Sequence, residues 1–288
     1  MSTPFAAAVL TSSILSGTSL LYATLGELVG ERAGIVNLGV EGIMLIGAAV
    51  GFAAASLTGD PYLGLVAAAL SGTAGNLLLG YVVITRRANQ LAAGLTLMFF
   101  GFGVSALIGG PFVGGIVTGL PHLMGPFDAL VWFAMPTALA LWFLIFRTRW
   151  GLGLRAVGED PAAAFASGRR PDWLRYQALA LGGALGGIGG AHLSLALTMT
   201  WDEGMTAGRG FIAIALVIFA RWNPLWAVPC ALIFGGAEAL QLQLQARGTD
   251  VSPFLMTMIP YLLTLIILVF WGRSAAPAAL GRSFFGVE

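Results

Sequence analysis

The chain is 288 residues long, 58% hydrophobic and 9% charged, with a formal net charge of +1; soluble domains carry about a quarter charged residues, so a water-exposed globular fold is excluded. Every basic residue is arginine and there is no lysine, which rules out both a GxxxxGK[ST] phosphate loop and a Schiff-base lysine. Cys230 is the lone cysteine, and His122 and His192 lie far apart, so neither an internal disulfide nor a clustered metal site is expected.

Apolar runs, each long enough to cross a hydrocarbon core of roughly 30 Å, recur from end to end. They predict an all-α polytopic membrane protein with about nine transmembrane helices (eight to ten), forming one domain over 1–288. The spans fall near 5–26, 35–57, 62–84, 91–110, 129–146, 177–199, 210–220, 225–244 and 253–271. The first, within MSTPFAAAVLTSSILSG, has no basic residue ahead of it, so a retained span is expected rather than a cleaved leader.

The second span opens in GELVGERAGIVNLGVEG (26–42). Glu27, Glu31 and Arg32 suit a solvated turn, whereas Glu41 lies past Ile35 by a stretch that a helix would carry about 9 Å inward. Asn37 is one turn earlier on the same helical face. That face is expected to turn into the bundle, either to meet a solute or to brace a neighbouring helix.

Polar side chains recur as Asn76 in the third span, Asn89 and Gln90 at the start of the fourth, and Glu238 in the eighth. Such residues in lipid usually face a bundle interior or an aqueous path, so Asn37, Glu41, Asn76, Asn89, Gln90 and Glu238 are the substrate-path candidates. Phe99, Phe100 and Phe102 offer either an aromatic platform or ordinary packing.

The polar connection 147–176 carries its own folding signals. Asp160 suits an N-cap, Pro161 the first helical position and Gly168 the stop, which predicts a short helix over 161–167. Its alanines and single Phe165 form a small apolar face, and the flanking arginines fit docking into another protein better than lying among headgroups. In the sixth span, GGALGGIGGA (182–191) repeats small residues at four-residue spacing, the pattern that lets helices approach closely in lipid. The seventh span is short, and its boundary with the eighth falls at RWNP (221–224).

With 147–176 on the cytoplasmic side, all arginines except Arg209 and Arg247 fall inside. This asymmetry predicts an outside N-terminus and an inside C-terminus. A proton- or ion-coupled secondary transporter would use Glu41 and Glu238 as carriers in broken helices, but that reading leaves the capped loop helix without a purpose and no inverted repeat is visible. A membrane-embedded enzyme lacks HExxH, usefully spaced paired carboxylates or a Ser/His/Asp arrangement.

Several segments together resemble one family. These are LGELVGERAGIVNLGVEGIMLIGA (25–48), ANQLAAGLTL (88–97), LRAVGEDPAAAFASG (154–168), the Gly-rich sixth span, GRGFIAIALVIFARWNPL (208–225) and PYLLTLIIL (260–268). In order and spacing they are similar to permease subunits of ABC importers of the branched-chain amino acid, ribose and nucleoside group, and ERAGIVNLGVEG is most like the nucleoside or purine-type branch.

The resemblance implies an ABC importer permease fold that carries a small polar solute, a nucleoside or purine ahead of a simple sugar or branched-chain amino acid. It implies a transport subunit rather than an enzyme, with no cofactor of its own; ATP and Mg would be used by a partner ABC ATPase. A second, non-identical permease would complete the path, an extracytoplasmic substrate-binding protein would deliver the solute, and lipid of a bacterial cytoplasmic (inner) membrane would surround the assembly, with no role for nucleic acid. The ATPase-coupling helix of such importers maps onto Glu159, Asp160, Pro161, Ala162, Ala163, Ala164, Phe165 and Gly168. The chain departs from the family in carrying GRRPDW after that helix, where related chains have GI followed by apolar residues.

Overall fold

The structure, a computed structural model, describes residues 5–246, 276–282 and, between them, 258, 259, 262, 265, 266 and 269. In chain order the helices are α1 (Phe5–Arg32), α2 (Val40–Thr58), α3 (Pro61–Gly80), α4 (Gln90–Gly109) and α5 (Ala129–Arg147). There follow α6 (Arg149–Glu159), α7 (Pro161–Ala166), α8 (Pro171–His192), α9 (Arg209–Phe219) and α10 (Pro224–Ala246). Single π-helical stretches extend α3 over Tyr81–Thr85 and α8 over Leu193–Leu197. A small antiparallel hairpin, β1 (His122–Met124) and β2 (Phe127–Asp128), precedes α5 and is the one departure from an all-helical chain among the described residues.

Among the described residues, seven helices are long and apolar enough to cross a membrane. They match seven of the nine predicted spans. The predicted span at 210–220 forms a shorter helix than a crossing needs: α9 has 11 residues, about 16 Å at 1.5 Å per residue, roughly half a hydrocarbon core, and non-helical chain over 198–208 leads into it. The predicted span 253–271 falls outside the continuously described residues.

Local chemistry sets several helix starts. Asp60 accepts from the Tyr62 amide ahead of α3, with Pro61 in the first position; Asn89 accepts from Ala92 at α4, and Asp128 from Leu130 and Val131 at α5. Each satisfies amides that a helix leaves open at its first turn, and in lipid no water replaces them.

Helix α8 lies at the centre, packed on α1, α2 and α3. Its glycines permit this: a Cβ at Gly183, Gly187 or Gly190 would run into the carbonyl oxygens of Gly72, Ala68 and Met44. Here dispersion contacts between backbones replace the hydrophobic effect that lipid cannot supply.

One end of the bundle gathers arginines. Arg32 and Arg155 both lie 5.3 Å from the Phe146 ring, and Arg32 Nε donates to the Trp222 carbonyl at 2.8 Å. The opposite end holds the hairpin and the turn after α8, where the Val117 and Leu120 amides donate to Met199 and Leu195.

Candidate functional site

The chain does not turn at the first acids of the 26–42 stretch. Helix α1 continues through Glu27 and Glu31 to Arg32, and both acids are buried, which corrects the expectation of a solvated turn. The chain then passes residues 33–39 without regular helix before α2 starts at Val40. Asn37 therefore does not share a helical face with Glu41, as the sequence predicted; it sits on this non-helical segment. Gly42 packs on Gly101, about halfway along α4.

Non-helical backbone inside a membrane protein needs partners from elsewhere. The Val36 amide donates to Gln90 Oε1 at 2.9 Å, the Asn37 amide to Glu27 Oε1 at 2.9 Å, and the Gly39 amide to Asn37 Oδ1 at 2.7 Å. Asn37 Nδ2 donates to Asn76 Oδ1 at 2.9 Å, and Asn76 Nδ2 to the Leu179 carbonyl at 3.1 Å. Three of the substrate-path candidates, Asn37, Asn76 and Gln90, thus meet in one buried network that holds a strand of main chain.

Glu41 forms a second centre. It is 3% exposed. Its Oε1 accepts from the Thr206 hydroxyl at 2.6 Å and the Gly208 amide at 2.7 Å, and its Oε2 accepts from the Gly210 amide at 2.6 Å. The carboxylate is the N-terminal cap of α9, supplied from another helix. Open amides and the helix dipole both favour a negative group there. A Cβ on Gly210 would collide with the Glu41 backbone, so only glycine lets the two helices meet this closely.

Beside this cap Arg209 Nη2 pairs with Glu238 Oε2 on α10 at 3.1 Å, with side chains 19% and 13% exposed. The arginine distribution places Arg209 in an outside loop; in the structure it begins α9 beside Glu41. At the other end of α9 the chain reverses through Arg221 and Trp222, both in the left-handed region at φ 53° and 54°. Such residues cost about 1–3 kcal/mol each, and α1 holds the turn: Trp222 Nε1 donates to Glu31, and Arg32 bonds the Trp222 carbonyl.

Asn89 is exposed, and its side chain caps α4. With Thr96, Phe100, Leu78, Leu79 and Val82 it lines a groove of about 400 Å³ between α3 and α4. Phe99 and Phe102 are exposed nearby and meet edge to face, with ring centroids 6.1 Å apart.

The loop helix forms as its signals predict. Asp160 Oδ1 accepts from the Ala162 and Ala163 amides at 2.9 and 3.0 Å, Pro161 occupies the first turn, and Gly168 takes φ 82° after the end. Ala164 is buried against Val157 and Leu174, while Phe165 is 49% exposed. Helix α6, which the sequence reading missed, carries α7; Thr148 caps it at the Gly151 amide.

Among the described residues no three His, Cys, Asp or Glu side chains gather as metal ligands would. His192 pairs with Asp128 at 3.2 Å at the hairpin end. The residues missed from sequence are Glu27, Glu31, Thr206, Gly208, Arg209, Gly210 and Trp222. The i, i+4 spacing of Glu27 and Glu31 and the short GRG ahead of an apolar run were the available signals.

A family model described as branched-chain amino acid transport system / permease component matches residues 9–269. The "Putative glucose ABC transporter permease protein TsgC13" of Haloferax volcanii is 35% identical, over 97% of this chain and 98% of its own length. The guanosine ABC transporter permease protein NupQ of Bacillus subtilis is 32% identical over 95% of each chain, and the nucleoside ABC transporter permease protein NupC of Lactococcus lactis is 32% identical over 96% of each. No solved structure matches.

Proposed function

Because this chain belongs to the permease-component family of the branched-chain amino acid transport systems, and so is a membrane-spanning ABC transporter permease, we propose that it imports nucleosides or purines. The observation that carries the substrate reading is the likeness, along nearly the whole chain, to relatives named for guanosine and nucleosides. The groove between α3 and α4 has the volume for such a solute, about 400 Å³, within the usual range of small-ligand sites; its lining is mostly apolar, and the Asn89 oxygen and Thr96 hydroxyl on it already bond Ala92. A second reading, a simple sugar, is favoured by the relative named for glucose.

In this proposal a second, non-identical permease completes the path, an extracytoplasmic binding protein delivers the solute, and a separate ATPase subunit uses ATP and Mg at the arginine-rich, cytoplasmic end. The N-terminus lies outside and the C-terminus inside, in a bacterial cytoplasmic membrane. Helix α7 with its cap, Glu159 to Gly168, couples to the ATPase; closure of the ATPase pair moves α7 and rocks the two permeases about the path. The Asn37, Asn76 and Gln90 network and the Glu41 cap hold the frame on which Asn89 and Glu238 face solute.

Uptake by cells expressing the complete transporter tests this. Guanosine and adenosine should compete with labelled guanosine at concentrations where glucose does not, uptake should survive collapse of the proton gradient, and it should stop when ATP is exhausted. Glucose uptake that nucleosides leave untouched overturns the substrate reading. A tagged chain that brings down neither an ATPase nor a second permease overturns the assembly.

A further inference from the structure

The C-terminal residues 276–282 lie against the arginine-rich end, and their contacts connect three elements. Within the segment the Leu280 amide donates to Pro277 and the Arg282 amide to Ala279, both at 3.0 Å, so it is a self-bonded turn. From that turn the Ala279 amide donates to the Gly158 carbonyl at 2.9 Å, and the Ala278 amide to Glu159 Oε2 at 3.2 Å. Gly158 and Glu159 end α6, directly before the Asp160 cap of α7. On its other side the Gly281 amide donates to the Gly34 carbonyl at 3.2 Å, and the Arg282 carbonyl accepts from Gln90 Nε2 at 3.3 Å. Ala279 is 4% exposed, seated between these partners.

We propose that this turn is a clamp that ties the base of α7 to the α1–α2 junction, so that displacement of α7 reaches the non-helical segment 33–39 and, beyond it, the Glu41 cap of α9. The proposal rests on the reading of α7 as the ATPase-coupling helix. Gly158 already packs on the Arg32 carbonyl and near the Gly34 amide, too close for a Cβ. Packing of that kind resists compression but lets surfaces slide apart, whereas hydrogen bonds to both sides resist separation as well. The link onward is short: Gln90, which the clamp holds through Arg282, is the acceptor for the Val36 amide. Next in the chain, Asn37 takes up the bond from its amide to Glu27, and the Gly39 amide bonds back to Asn37. Energetic coupling between sites travels through such bonded, packed elements when they move together.

The test is Ala279→Trp, which cannot fit the buried seat, read in two ways. In proteoliposomes holding the complete transporter and its binding protein, solute moved per ATP hydrolysed should fall at least about fivefold while ATPase stimulation stays within about twofold of the parent. In the detergent-solubilised chain alone, hydrogen exchange of the 35–39 amides should quicken about tenfold or more, with the α3 amides unchanged. If Ala279→Trp does not reach the membrane, Ala279→Leu should give the same pattern at smaller amplitude. An unchanged ratio, parallel loss of uptake and ATPase activity, or unchanged exchange at 35–39 overturns the clamp. The exchange measurement needs no ATPase, so failure of the coupling reading, seen as a parent chain that binds none, is distinguishable from failure of the clamp.

Discussion

Glu41 satisfies three donors with two oxygens, and buried donors without partners cost about 1–3 kcal/mol each. Glu41→Ala should therefore destabilise the chain by about 3 kcal/mol or more, and Glu41→Gln, which keeps one acceptor oxygen, by about half of that; thermal unfolding in detergent checks both. Gln should also retain more uptake than Ala, since its remaining oxygen still caps part of α9. At the hairpin end Asp128 gives a pH prediction. Burial opposes its charge, but the hydrogen bond and proximity of His192 and the Leu130 and Val131 amides outweigh it and hold the carboxyl below its ordinary range. A carboxyl depressed on folding contributes stability above the unfolded value of about 4 and loses it as pH falls through the folded one. Stability should drop below about pH 4 in the parent, with a shallower acid slope in Asp128→Asn. That Glu41 is buried was legible from one carboxylate inside an apolar run. Its partners were not, because Thr206, Gly208 and Gly210 lie far along the chain, and nothing local to Glu41 says which segment will present unpaired amides to it.

Helix α7 is an element written almost entirely in its own residues, Asp160 and Pro161 at its start and Gly168 at its end. Pro161→Asp, or removal of 159–168, should abolish ATP-driven uptake while leaving the chain in the membrane; transport assays beside a membrane-fraction immunoblot read the two apart. Asp160→Ala should cost the helix about 1 kcal/mol of capping and lower uptake partially. Helix α9 is the contrary case. Its apolar run reads as a span, yet its 11 residues begin at a cap from α2 and end in a turn held by α1. A half-length helix and a full crossing have the same local preferences. The difference lies in whether another element satisfies the open end in mid-membrane, which Glu41 does. The second span has the same lesson reversed: residues 35–39 are apolar enough for a helix, but acceptor oxygens of Gln90, Glu27 and Asn37 make non-helical backbone affordable there.

The whole molecule is organised around α8, whose glycines meet the backbones of α2 and α3. Gly190→Val would drive a branched side chain into the Met44 carbonyl and should prevent a stable bundle, seen as loss of monodisperse protein after extraction; a substitution of exposed Leu57 by Val, at the far end of α2, should not. Single cysteines at Gly168 and at Asp60, in a Cys230→Ser background, should react with impermeant reagent from opposite sides of the membrane, Asp60 from outside. The sequence by itself determined the solvent, the seven long spans, the cap of α7 and the likeness to permeases, because hydropathy and helix-end chemistry act within a few residues. Only the tertiary structure decided that Glu27 and Glu31 are buried in α1, that 33–39 is not helix, that α9 starts at the Glu41 cap, and that Asn37, Asn76, Gln90 and Glu41 bind the chain's own backbone. In lipid every polar group must find a protein partner, and that partner is fixed by which distant segments pack together.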